Sequence, residues 1–336
     1  MLGMTKKRYE QERRFSTTNE LNGIVKASEC GLYSQTAQDI FRRLNKSIYG
    51  MVARRNNGKN AGFPRFRSID RVKSLTYPQS GFALHGKKLK VTPFGEINIK
   101  RHREAEGKIK TLTLKREASG KWYAILTAET EARAVPQNNL SQVGIDLGLI
   151  NFAVLSDGTA IKNPRHLKKH QDNLRAKQKS LPRKKRFGSN KRKAKKRLAV
   201  IHEKVRNTRR DFLHKLSHRL VHAHSMMALE DLASQEMAEN QYGKSINDAG
   251  WSEFIGMLSY KAESAGSRVM LVNPANTTKM CSGCGEMVKK ELHERQHDCP
   301  YCGLSMDRDL NAAINILDRA TEGHSGSNAC GVGRNG

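Results

Sequence analysis

At 336 residues, 37% of them hydrophobic, the chain is long enough for one large domain or two to three modest ones with real cores, which excludes a disordered tail. Lys and Arg number 61 against 32 Asp and Glu, a formal charge of +29, so a polyanionic partner is needed to offset self-repulsion, and nucleic acid is the default. No apolar run approaches the roughly 18 residues that cross a bilayer, and "MLGMTKKRYEQERR" lacks a signal-peptide core, so the expectation is no membrane partner and a cytoplasmic, nucleoid-associated prokaryotic protein.

The first 61 residues are polar, with one helix expected in "SQTAQDIFRRLNKSIYGMVARR". Ser34 is its candidate N-cap, and Ala37, Ile40, Phe41, Leu44, Ile48, Met51 and Val52 recur at helical spacing. Between 62 and 135 the pattern changes to short strands, "SLTYPQ", "GFAL", "KLKVT", "EINIK" and the hairpin "GKIKTLTLKREASGKWYAILTAET" with its turn at Ser119-Gly120. This is a small β domain, and "EARAVPQNNLSQ" is the linker after it. "VGIDLGLINFAVLSDGTAIKN" reads as two strands joined at Asp157-Gly158. A long helical stretch follows, from about 164 to 222, broken at Pro182 and Phe187-Gly188, with about twenty basic residues against three acidic ones. A solvated helix face normally mixes signs, so Arg183, Lys184, Lys185, Arg186, Lys191, Arg192, Lys193, Lys195, Lys196 and Arg197 are candidate nucleic-acid contacts. "SMMALEDL" is a buried strand, "WSEFIGMLSYKAESAG" a helix and "RVMLVNP" a strand, while the Gly-rich residues 321–336 read as a disordered tail.

Cys281, Cys284, Cys299 and Cys302 form two Cys-x-x-Cys knuckles fourteen residues apart, each with a glycine beside its second cysteine. In a reducing compartment this spacing points to one structural Zn²⁺ per chain, because a closed four-thiolate set leaves no coordination position for a substrate water. His293 and His297 lie between the knuckles and read as surface residues or nucleic-acid contacts rather than ligands, and Cys30 and Cys330 are left as free thiols.

Three acids interrupt apolar elements. Asp146 sits inside "VGIDLGLINFAVL", where a lone ionised carboxylate costs several kcal/mol unless it is paired or metal-bound. Gly144 and Gly148 flank it on one strand face, which suggests room for a phosphate backbone or an ion. Glu230 ends the strand in "SMMALEDL". "DRDLNAAINIL" starts a helix with Asp307 or Asp309, and Leu310, Ala313, Ile314 and Leu317 form its expected buried stripe. Each acid alone has an innocent reading as a cap, a turn residue or a strand edge. Together they suit two divalent cations, Mg²⁺ or Mn²⁺, in phosphodiester cleavage on an RNase H-like fold.

"GIDLGLINFAVLSDG", "ALEDL", "AGWSEFIGMLSYKA", "CSGCG…CPYCG" and "DRDLNAAINIL", in that order, closely resemble the transposon-encoded TnpB proteins, relatives of the type V CRISPR effector nucleases. "GFPRFR", "SLTYPQSGFAL" and "GKIKTLTLKREASGKWYA" resemble the family's β wedge domain, so the likeness runs over about residues 25–320. The resemblance implies a multidomain α+β / α/β protein: a helical recognition segment over 1–61, a β-barrel-like wedge domain over 62–135, and a RuvC-like nuclease domain over 136–320 with a zinc ribbon inserted at 276–305. It implies an RNA-guided DNA endonuclease whose partners are a guide RNA from the transposon end, target DNA and, functionally, the element's transposase. Asp146 falls on the first catalytic acid, Glu230 on the second and Asp309 on the third, with Asp307 as the weaker candidate; the ribbon, folded around zinc, is expected to fix its loop as a lid over the active site, and Arg295 in that lid is expected to meet the scissile phosphate. The family's longer N-terminal recognition segment is not matched by "MLGMTKKRYEQERRFSTTNEL", so a shortened N-terminus with weak engagement of duplex targets is the expectation, and a guide-dependent DNA binder or repressor that cuts little is the alternative reading. A strand transferase is a third reading, but His222 to His224 lack a paired tyrosine helix.

Overall fold

The N-terminal apolar stripe folds as helix in the computed structural model of the chain, which describes residues 2–12, 14–24, 31–65, 71–131, 140–232, 243–291 and 294–326. The chain divides into two units, Met1–Arg133 and Ala134–Gly336. Cys30, His293 and Cys330 lie outside the described residues.

In the first unit, α1 (Leu2–Glu12) and α2 (Thr18–Ile24) precede α3 (Ser34–Asn56), which buries Ala37, Phe41, Ile48 and Met51. The helix starts one residue earlier than expected, with Tyr33 rather than Ser34 as its N-cap and no side-chain cap bond. Tyr33 instead shares a 2.8 Å hydrogen bond with Ser80, and Arg43 donates to Ser74 at 3.1 Å, tying α3 to the strands. The β domain comprises β1 (Ser74–Tyr77), β2 (Phe82–His85), β3 (Lys88–Val91), β4 (Gly95–Asn98), β5 (Lys108–Arg116) and β6 (Trp122–Glu129). These form two three-stranded sheets, β1-β5-β6 and β2-β3-β4, over a common core of Tyr77, Leu89, Val91 and Leu112. The expected barrel-like domain is thus two sheets sharing side chains rather than one closed ladder, and it groups with the N-terminal helices in a single unit.

The second unit is built on β7 (Gln142–Leu147), β8 (Asn151–Leu155), β9 (Ala160–Lys162), β10 (Met226–Glu230) and β11 (Arg268–Val272), in the order β11-β10-β7-β8-β9. The first three strands in sequence are antiparallel neighbours, and β10 and β11 run parallel to β7. Three strands precede the basic helices where the sequence pattern suggests two. The Asp157-Gly158 turn joins β8 to β9, while the chain also reverses between Leu147 and Asn151, where Gly148 donates back to Phe152 at 3.2 Å.

Helices α4 (His166–Ser180), α5 (Ser189–Ala223), α6 (Gly243–Ala249), α7 (Trp251–Ala265) and α8 (Arg308–Gly326) complete the unit. Strand alternation assigns the layers. Val143, Ile145 and Leu147 of β7 and Met227 and Leu229 of β10 share a core with Leu213, Leu216 and Leu220 of α5 and Phe254 and Leu258 of α7. The other face puts Met226 and Ala228 against Ile316 and Ala320 of α8. Burial on both faces is why these strands read as unbroken apolar runs. Because α8 extends to Gly326, residues 321–326 are helical where a disordered tail is expected from the sequence, and 327–336 lie outside the described residues.

Candidate active site and cysteine module

Asp146 shares the parity of Gly144 on β7, and Glu230 that of Met226 and Ala228 on β10, so both acids face the α8 side of the sheet. The parallel register pairs Leu229 with Ile145, which sets Glu230 level with Asp146. Asp309, in the first turn of α8, is the third charge acting on this group. Burial, then the charges of Glu230 and Asp309, push the Asp146 carboxyl up from 3.8 to about 8. Burial also raises Glu230, opposed by a hydrogen bond from Thr277 and by the charge of Arg319.

No hydrogen-bond donor among the described residues reaches the Asp146 carboxylate, which is only 9% exposed. A buried carboxylate with two acids for neighbours and no donor is unfavourable for the protein alone, and is the electrostatic complement of a multivalent cation.

Asp307 has a different position. Its Oδ1 accepts from the backbone amides of Asp309 at 2.9 Å and Leu310 at 3.1 Å, which makes it the cap of α8. The Asp309 carboxylate is approached by Arg308 at 3.4 Å and Arg295 at 3.7 Å, so the lid arginine expected near a phosphate meets an acid of the cluster here.

Gly144 does not open space for a nucleic-acid backbone. A β-carbon there would overlap the Ala313 carbonyl oxygen and lie 2.9 Å from the Leu317 amide nitrogen, so its missing side chain lets α8 approach β7. The expected stripe of α8 is also turned. Ala313 is fully buried, but Leu310, Ile314 and Leu317 are half-buried, while Asn311, Ala312, Asn315 and Ile316 face inward. The asparagines are inside because remote backbone needs them: Asn311 accepts from Ser282 N at 2.9 Å and donates to Met280 O at 2.8 Å, and Asn315 donates to Thr277 O at 2.8 Å and Met280 O at 2.7 Å.

Those bonds root the cysteine module on α8. The Sγ atoms of Cys281, Cys284, Cys299 and Cys302 all lie within 4.8 Å of one another, with Cys281 and Cys302 3.7 Å apart and Cys284 and Cys299 3.6 Å apart. A tetrahedral site with Zn–S bonds of ~2.3 Å requires sulfurs ~3.8 Å apart, so the donor set fits the ion. The knuckles match: Gly285 N donates to Cys281 O at 2.9 Å and Gly303 N to Cys299 O at 3.0 Å, both glycines having positive φ. Gly283 N points at Cys281 Sγ from 3.4 Å. His297, expected at the surface, is fully buried in β12 (Gln296–Asp298) with its Nδ1 against Lys290 Nζ. β12 pairs with β13 (Ser305–Asp307), which leads without a linker into α8.

The basic candidates lie away from these acids in sequence, on the connection between α4 and α5 and on the first turns of α5. None of the ten forms an ion pair among the described residues, and all are exposed or half-exposed. Phe187 at the connection is 87% exposed beside Arg186, a pairing that a count of charges does not show, although an aromatic within a basic run is a usable signal. His222 pairs with His218 at a ring separation of 4.2 Å and His224 bonds Ser141 at 3.1 Å, so the two do not act as one His-x-His site.

Two family models match this unit and the strand preceding it: OrfB_IS605, described as "Probable transposase", over residues 125–241, and the Cas12f1-like TNB domain over residues 251–316. A Streptomyces pristinaespiralis protein named "Putative RNA-guided DNA endonuclease" is 30% identical over 98% of this chain and 83% of its own length. The chain belongs to the TnpB family. The Escherichia coli K12 member named "Putative RNA-guided DNA endonuclease InsQ" is 32% identical over 77% of this chain and 69% of its own, and a TnpB-like protein of Acanthamoeba polyphaga mimivirus, L79, is 25% identical over 62% of this chain and 43% of its own. A solved Cas12f1 structure, described as a complex with guide RNA and target DNA, shares the mixed α/β fold at a TM-score of 0.59, 12% identity and coverage of 94% of this chain and 78% of that one.

Proposed function

We propose that this TnpB-family chain is an RNA-guided DNA endonuclease of a mobile element, hydrolysing phosphodiester bonds at Asp146, Glu230 and Asp309. The observation that carries the reading is the placement of a buried Asp146, without a donor among the described residues, level with Glu230 on the sheet face that α8 covers, with Asp309 entering from the start of that helix. The order β11-β10-β7-β8-β9, three antiparallel strands followed by two parallel ones, supports an RNase H-like (RuvC) nuclease domain over 136–320, with the cysteine module at 276–305 as its zinc ribbon. The helical segment 1–61 and the β domain 62–135 are read as the recognition and wedge parts.

The three acids would hold two divalent cations, Mg²⁺ or Mn²⁺, which when bound activate water and stabilise the leaving oxygen. The protein's own contribution is positional. β7 and β10 fix two carboxylates on rigid adjacent strands, and the cap at Asp307 starts α8 where Asp309 reaches the same space. Arg295 and Arg308 neutralise Asp309 before a cation arrives and offer donors to an incoming phosphate. The exposed basic faces of α4 and α5 would hold the guide RNA and the guide–target duplex by backbone charge, leaving base pairing to read sequence.

The test is cleavage of complementary single-stranded DNA by the protein purified with its guide, in Mg²⁺. Asp146→Ala, Glu230→Ala and Asp309→Ala should each abolish cutting while guided binding persists. An active Asp146→Ala or Glu230→Ala variant would overturn the reading. Sequencing of copurifying RNA should reveal one species ending in variable element-flanking sequence; bulk cellular RNA would contradict a guide.

A further inference from the structure

We infer that Thr277 is a positioning residue for Glu230, clamped in place by α8, so that the helix carrying Asp309 also sets the orientation of the second acid. The inference rests on the nuclease reading above and extends it to residues outside the acid set.

Thr277 is 1% exposed, and its hydroxyl donates to Glu230 Oε1. The same hydroxyl lies 3.2 Å from Pro274 O, but it has one proton to give and the carboxylate contact is the shorter. One Glu230 oxygen is therefore engaged by a neutral donor. The carboxylate can no longer rotate freely, and its other oxygen is the one left for a cation.

A threonine on a loose loop could not do this. Here the segment from Asn273 to Met280 is held at several points by α8. Arg319 donates to Asn273 O at 2.8 Å and Ala275 O at 2.7 Å, while Asn315 donates to Thr277 O and to Met280 O. The segment also closes on itself: Asn273 Oδ1 accepts from Ala275 N at 2.9 Å, and Asn276, at φ 66°, accepts through its carbonyl from Met280 N at 2.9 Å. Cys281 follows directly. The turn that presents Thr277 to Glu230 is thus also the root of the cysteine module, and both are referenced to one helix. Asn315 is 1% exposed, and a buried amide placed to satisfy two carbonyls of one turn is a costly choice unless that turn has to be fixed.

Partners of this kind typically change metal affinity by about 10- to 100-fold when removed. The experiment is Mn²⁺ titration of the purified zinc-loaded protein without nucleic acid, followed by electron paramagnetic resonance, with the signal lost in Glu230→Gln defining the site. Thr277→Val and Thr277→Ala both lack the hydroxyl, and whichever retains one zinc per chain and the wild-type circular dichroism is carried forward. It should bind Mn²⁺ about tenfold more weakly and need correspondingly more Mg²⁺ for half-maximal cleavage, and Thr277→Ser should restore both. A folded valine or alanine variant with wild-type Mn²⁺ affinity would overturn the inference while leaving the nuclease reading intact. A Glu230→Gln variant that still cuts would instead overturn the nuclease reading.

Discussion

Gly144 on β7 and Ala313 on α8 are packed backbone to backbone: a β-carbon at Gly144 would overlap the Ala313 carbonyl oxygen. Two residues further along β7, on the same face, is Asp146. Close approach at Gly144 thus sets how near the start of α8, with Asp309, comes to the strand acids. Gly144→Ala should destabilise the protein by about 3 kcal/mol, the upper range for overpacking, since the obstacle is backbone and not a movable side chain. Chemical denaturation checks this. A neutral Gly144→Ala would mean that α8 is free to shift.

Asp307 and Asp309 are two residues apart with different tasks. Asp307→Ala removes a helix cap and should cost ~1 kcal/mol of stability with cleavage reduced but present. Asp309→Ala should leave stability nearly unchanged and abolish cleavage. The reverse result, a dead Asp307→Ala and an active Asp309→Ala, would exchange their assignments.

Asp146 makes stability depend on pH in an unusual direction. Its carboxyl, raised by burial and then by Glu230 and Asp309 from 3.8 to about 8, keeps a proton in the folded chain that the unfolded chain has already released. The contribution to stability is therefore greatest below about pH 4 and falls as pH rises towards about 8. Without added divalent metal, the stability difference between wild type and Asp146→Asn should shift against wild type across that window. Mg²⁺ should reverse this, since cation and proton compete for one carboxylate, and apparent Mg²⁺ affinity should rise by up to about tenfold per pH unit below pH 8. A flat difference from pH 5 to pH 8 would show Asp146 ionised throughout.

The parts of the site legible in the sequence are those where one residue type contradicts its surroundings. Asp146 and Glu230 stand out because an acid at the inner face of an apolar strand needs a reason, and the cysteines stand out by spacing alone. What stays hidden depends on partners distant in the chain. Asn311 and Asn315 break the apolar stripe expected of α8, and only the fold shows that the backbone from Thr277 to Ser282 is what they satisfy. Gly144 reads equally well as room for a ligand or for a helix. The reversal between β7 and β8 is masked because "LGLIN" continues the apolar run, with Gly148 its single breaker.

The cysteine module should carry one zinc per chain by elemental analysis, and Cys281→Ser with Cys284→Ser should remove it. Because Asn311 ties the first knuckle to α8, loss of the ion should loosen the lid that holds Arg295 near Asp309. Cleavage should fall on the order of tenfold or more, while RNA affinity changes little. Freshly purified protein without zinc would overturn the assignment of a ribbon.

Lys191, Arg192, Lys193, Lys195 and Lys196 occupy the first two turns of α5, exposed or half-exposed, with no ion pair among the described residues. An unpaired cluster at a helix N-terminus is unfavourable by itself, since the helix dipole adds positive charge there. Phosphate is the partner that would relieve both at once. Each neutralised phosphate releases counterions, so log affinity for RNA should fall with log salt by about 0.7 to 0.9 per phosphate. Changing all five to Gln should weaken RNA binding at low salt and flatten that slope in proportion to the phosphates no longer neutralised, with thermal stability unchanged or raised because the repulsion is gone. Filter binding across a salt series gives the slope directly. An unchanged slope would place the RNA on another surface and leave this cluster without a partner.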